Sequence, residues 1–137
     1  MGTNNPSYIV QPSGDPANPN KVYPSRFVTL GTIDNNIVQS VANDEAIGIS
    51  HVATRVIQLP GDPAQPAALE GETVRIYGLT ESCEVFVAVA VSVGDKLKPD
   101  ANGFAVIAAA GERFSARAKA DALVGEKVDV IVERGVA

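Results

Sequence analysis

The amino-acid sequence predicts an all-β fold, a small barrel or sandwich of about eight short strands with an extended N-terminal arm. Three observations carry this. The apolar residues are mostly Val, Ala, Ile and Leu, with aromatic residues at only 5%, and β-branched side chains suit a pleated, half-buried surface. The apolar runs alternate inward and outward, the period of a strand rather than a helix. Between them Gly, Asp, Asn and Pro recur at close spacing, as turns between short strands require. With 137 residues, 45% of them hydrophobic, the chain has the size of one domain with its own core.

Residues 1–25, MGTNNPSYIVQPSGDPANPNKVYPS, hold five of the nine prolines, four Asn and two Gly. That composition denies both helix and ladder hydrogen bonds over any useful length, so the segment is expected to be an extended arm. About 25 extended residues reach roughly 80 Å. The isolated apolar residues Tyr8, Ile9, Val10, Val22 and Tyr23 would give such an arm something to press against a partner, and they are the candidate binding residues.

A compact β domain is expected over residues 26–137. RFVTL and NIVQSVA read as two strands of a hairpin joined by GTIDN, whose Gly, Asp and Asn suit a tight turn. IGISHVATRVIQL follows, then the proline-rich loop 58–70, which repeats the arm's GDPANP as GDPAQP. From Gly71 onward, LEGETVRIYG, SVGDKLKPD and LVGEKVDVIVE share one grammar, a glycine, an acid, a Lys or Thr, then an apolar residue opening an alternating run. Gly71, Gly94 and Gly125 are the expected corner residues. PDANG, with Gly103 at its end, is a turn signal that makes KLKP and GFAVIAA a hairpin. AAAGERFSARAKADALVG suits either a strand or a short helix, and the alternation of Phe114, Ala116, Ala118 and Ala120 favours the strand.

Composition also restricts chemistry. The formal charge of −5, with no cluster of Lys or Arg, argues against direct nucleic-acid contact. No run of 18 apolar residues and no signal-peptide pattern point to a membrane, so synthesis and retention in the cytoplasm are expected. Cys83 and His51 are the single cysteine and histidine, too few for a Cys/His zinc site. Ser50 and His51, adjacent on a strand, point to opposite faces and do not form a nucleophile–base pair. VGDKLKPD lacks the second glycine of a phosphate-binding loop, and Asp95, Asp100 and Asn102 lack the rest of a Ca²⁺-loop pattern. No cofactor, metal or catalytic residue is assigned.

The order of these signals resembles a known family, the capsid decoration (cement, or head-stabilising) proteins of tailed phages. The resemblance runs over about residues 26–135 and rests on RFVTL, AIGISH, GETVRIYG and the stretch SVGDKLKPDANGFAVIAAAGERFSARAKADALVGEKVDVIVERG. The long proline-rich stretch before GETVRIYG and the long arm depart from the family's pattern. The resemblance implies a non-enzymatic virion protein, made in the host cytoplasm. It would bind the outside of an expanded capsid as a homotrimer and bridge neighbouring major capsid subunits against internal pressure. Two other readings remain. Small β-barrels also serve as tail or baseplate subunits. A biotinyl- or lipoyl-type carrier domain would need a modifiable lysine at a hairpin tip, and Lys119 is the nearest candidate.

Overall fold

The computed structural model describes residues 7–50 and 68–137, and its regular elements there are all strands. They are β1 (Ser7–Val10), β2 (Lys21–Val22), β3 (Phe27–Leu30), β4 (Asn36–Gln39), β5 (Gly48–Ser50), β6 (Ala68–Leu69), β7 (Thr73–Tyr77), β8 (Ser82–Phe86), β9 (Lys96–Pro99), β10 (Ala105–Ile107), β11 (Arg113–Ala118) and β12 (Lys127–Val136). The fold is therefore all-β. The strands outnumber the expected set because residues 7–25 contribute two of them and residues 68–69 a third. Residues 58–67 of the proline-rich loop lie outside the described residues, as does His51.

Strands β1, β4, β3, β5 and β7 close into a barrel in that order. Strands β10, β9, β11, β12 and β8 form a second five-stranded sheet, and a single parallel bridge between Ala105 of β10 and Val87, the residue after β8, brings its two edges together into a second, less regular barrel. Each barrel has its own core. Val10, Val22, Val28, Ile37, Ala68, Val74 and Ile76 fill the first, while Phe27, Ile49, Val85, Leu97, Val128 and Val130 are among the residues filling the second.

The two cores share a wall. On β3, Phe27 turns into the second core and its neighbour Val28 into the first, as the two-residue period of a strand demands. Burying both faces of one strand removes the polar alternation an exposed sheet would show. It also explains Gly48, where a side chain at Cβ would lie 2.2 Å from the Tyr77 carbonyl oxygen. Only glycine lets β5 approach β7 so closely.

Of residues 1–25, read from the sequence as an arm, 1–6 lie outside the described residues and 7–25 fold onto this domain. Strand β1 pairs in parallel with β4 and antiparallel with β7, and Val10 and Val22 are fully buried. Of the five prolines that suggested an arm, Pro12, Pro16 and Pro19 sit in the 11–20 connection and Pro24 follows β2, while Pro6 lies outside the described residues. That connection is held by the Glu70 carboxylate, which accepts the Ser13 and Asn20 N–H groups at 2.7 Å each. These two amides hold the Glu70 carboxyl below its usual range.

A recurring turn explains the glycine–acid grammar. In 69–72, 92–95, 109–112 and 123–126 the fourth residue donates its N–H to the first residue's carbonyl. Its own carboxylate accepts the first residue's N–H in return, at 2.7 to 2.9 Å. The third residue is a glycine with positive φ in all four. The turns 41–44 and 78–81 repeat the bonding with Asn43 and Thr80 in the glycine's place. Asp or Glu is needed because an acceptor must fold back over the turn to reach an amide with no ladder partner.

The second barrel is internally symmetric. The pair Val85↔Val128 is matched by Ala116↔Leu97, and Phe86↔Lys127 by Arg117↔Lys96. The turns 92–95 and 123–126 are the symmetric partners, and beside them Val91 and Ala122 exchange two N–H···O bonds of 2.9 and 3.0 Å. The chain over 113–118, where helix and strand competed in the sequence, is strand because it must pair with both β9 and β12.

Because β1 closes the first barrel and supplies Val10 to its core, a chain starting at Arg26 is expected to lose cooperative unfolding, measured by circular dichroism in urea. A flexible arm would instead leave the transition unchanged.

Candidate functional site

The five apolar residues proposed from the sequence do not act alike. Val10 and Val22 are core residues, which takes them away from any partner, because burial in the barrel outweighs whatever an exposed contact would contribute. Tyr8 is half-buried against the same core, while Ile9 is 40% exposed. The Ile9 N–H bonds to the Asn35 carbonyl at 2.9 Å, which holds Ile9 beside the β3–β4 turn. Ile33 stands exposed within that turn and Leu30, also exposed, opens it on the other side of the sheet from Ile9, and the Gln11 side-chain oxygen accepts the Thr32 and Ile33 N–H groups at 2.6 and 3.2 Å. Sequence reasoning passed over Leu30 and Ile33. The available signal was an isoleucine in the turn GTIDN, a place that packing does not reserve for apolar residues.

Tyr23 belongs to a different arrangement. Its ring lies under the Arg26 guanidinium at 5.3 Å, with Phe104 at 3.9 Å and Phe86 at 5.6 Å around the same group. Arg26 Nη1 donates to the Asn102 carbonyl at 3.1 Å, and so does the Gln39 side-chain amide. Arg26 Nε is buried without a hydrogen-bond partner among the described residues. Burial lowers the guanidinium's pKa, yet an arginine keeps its charge in any such setting. The arrangement ties the turn 100–103 of the second barrel to β3 and β4 of the first. Gly103 fits there because a Cβ would lie within 3.1 to 3.3 Å of Gln39, Arg26 and the Phe27 carbonyl. Gly71, Gly94, Gly103 and Gly125 all have positive φ.

The groups weighed for chemistry are engaged elsewhere. Burial, with Glu81, Asp129 and Glu84 adding to it, pushes the Cys83 thiol up to about 12, so it stays protonated and a poor nucleophile. Ser50 Oγ donates to the Tyr23 carbonyl at 2.6 Å and accepts the Arg26 N–H at 3.2 Å. Asp95 and Asp100 stand at opposite ends of β9, Asp100 accepting the N–H groups of Asn102 and Phe104. Among the described residues no group of three or more Asp, Glu, Cys or His could hold a metal. Lys119 donates its ammonium to Ser82 Oγ at 3.0 Å, and its backbone N–H bonds to Asp129 of β12, so it continues the ladder rather than standing at a hairpin tip.

Exposed apolar side chains also gather on the second barrel. Val93, Leu123 and Val124 are 65%, 68% and 67% exposed, all within or beside the symmetric turns 92–95 and 123–126.

No family model and no curated relative matches this sequence. The fold does have a solved counterpart. The crystal structure of the N base of the head fiber protein gp8.5 of bacteriophage phi29 matches 96% of this chain and 97% of its own, with a TM-score of 0.61 and 18% identity. The likeness is one of fold, and it extends over both barrels.

Two outcomes test the local chemistry. Replacing Arg26 by Lys, which keeps the charge but loses the planar stack and the fork, is expected to cost about 1–2 kcal/mol in urea unfolding. The Cys83 thiol should react with a disulfide reagent at pH 8 about a hundredfold more slowly than a free thiol, and at the free rate once the chain is denatured.

Proposed function

We propose that this protein is a non-enzymatic structural component of a tailed-phage head. It binds the outer surface of the expanded capsid as a homotrimer and stabilises it by bridging neighbouring major capsid subunits. The observation that carries this reading is the whole-length fold likeness to the base of a phage head fiber, which spans 96% of the chain. The order of turns and strands that resembles the decoration family supports it independently. So does the chemistry of the described residues, where Cys83 and Ser50 are occupied by the fold.

On this reading the acidic, compact body needs no cofactor and no nucleic acid. The exposed face around Ile9 is one contact surface, with the turn that carries Ile33 beside it. Tyr8 packs against the core beneath that face, while Tyr23 is taken up by the Arg26 arrangement and does not reach the partner. Attachment through apolar contacts on a folded body costs less ordering entropy than attachment by a long arm.

The test is co-sedimentation of the purified protein with expanded shells of the phage that encodes it. Pelleting at a saturating ratio is expected, and the Ile9→Ser, Ile33→Ser double variant should bind at least about tenfold more weakly. Absence of pelleting by the unmodified protein would overturn the head assignment in favour of tail or baseplate partners.

A further inference from the structure

The tip formed by the symmetric turns of the second barrel carries apolar side chains that the fold does not require. In 92–95 and 123–126 the second turn positions are Val93 and Val124, and the fold tolerates almost any residue there. The backbone beneath them is fully committed. Val91 and Ala122 pair with each other. Asp95 accepts the Ser92 N–H at 2.9 Å, Glu126 the Leu123 N–H at 2.7 Å, and Asp121 the Val93 N–H at 2.9 Å. A rigid support thus holds three aliphatic side chains in water, each about two-thirds exposed.

The rim of this tip is acidic. A cleft of about 340 Å³ between the turns is lined by Ser92, Asp121, Leu123 and Glu126, among others, with no basic residue among the described ones. The neighbouring lysines are drawn away from it. Lys96 and Lys127 hold their ammonium groups over the Phe114 and Phe86 rings at 5.2 Å, and Lys119 bonds to Ser82. Charge decides which occupant fits. A second copy docking by the same tip would set Asp121 and Glu126 against their own equivalents, and nucleic acid or an anionic membrane would be repelled in the same way.

We infer that this tip is a docking surface for a protein face that presents Lys or Arg side chains flanked by apolar ones. The inference rests on the head reading above, under which that face belongs to a shell subunit. It supplies what bridging needs, a second contact surface on a different barrel from the one at Ile9.

The experiment uses the full chain and expanded shells. The Leu123→Ser, Val124→Ser double variant is expected to bind at least about tenfold more weakly with its thermal midpoint unchanged, while Val136→Ser, which alters an equally exposed valine elsewhere, stays within about twofold. Glu126→Gln, which keeps the acceptor for the Leu123 N–H, should bind more weakly at low salt and show a shallower salt dependence. If the unmodified protein binds and the serine variant binds equally well, the tip is not the docking surface and the head reading stands. If the unmodified protein does not bind, the head reading fails and this inference falls with it.

Discussion

Strand β3 is the constraint on which the molecule depends. Phe27 and Val28 are both fully buried but point into different cores, so neither core can be filled without the strand that fills the other. The wall admits no polar side and little extra volume, which is why Gly48 lies against the Tyr77 carbonyl and why Ser50 turns its hydroxyl onto backbone at Tyr23. A chain of this size could have built one larger core. Two small cores sharing a strand let short strands and aliphatic side chains suffice, in keeping with the low aromatic content.

Where aromatic rings occur, several serve the seam rather than the cores. Tyr23, Phe86 and Phe104 surround Arg26, and the guanidinium satisfies the Asn102 carbonyl in the same place. A charged group in this position fixes the register of one barrel against the other, because its hydrogen bond and its stacking directions cannot all be met after a slip. The apolar surfaces at Ile9 and at the Val93–Val124 tip are thereby held on one body. That rigidity is the property a bridging protein needs if contacts at two places are to reinforce one another.

The acid-capped turns set where each strand begins. A carboxylate that closes back on the first amide of its own turn satisfies a donor that would otherwise face water at every corner. Because Asn43 and Thr80 stand in for glycine in two of these turns, the acid is the more constant member of the pattern. The glycine is the easier member to notice in a sequence.

Much of this was legible without coordinates. The all-β class, the hairpin at PDANG and the strands RFVTL and RFSARA follow from two-residue alternation and turn chemistry, both of which are local properties that a short stretch of chain expresses by itself. The placement of residues 7–25 was not legible. Proline and asparagine forbid a long ladder, yet a four-residue strand needs few bonds, and whether SYIV finds two neighbours is settled by β4 and β7 from elsewhere in the chain. The same holds for the sites. Sequence marked Tyr8, Ile9, Val10, Val22 and Tyr23 as one set because apolar residues in a polar segment look alike. Only the closed barrel separates the buried Val10 and Val22 from the exposed Ile9, and only the symmetric pairing of distant turns brings Val93 beside Leu123 and Val124. Sequence by itself determined the local conformations and the acidic, aliphatic character of the chain. Tertiary structure decided which apolar side chains are left in water, because exposure is a property of long-range packing and no residue carries it alone.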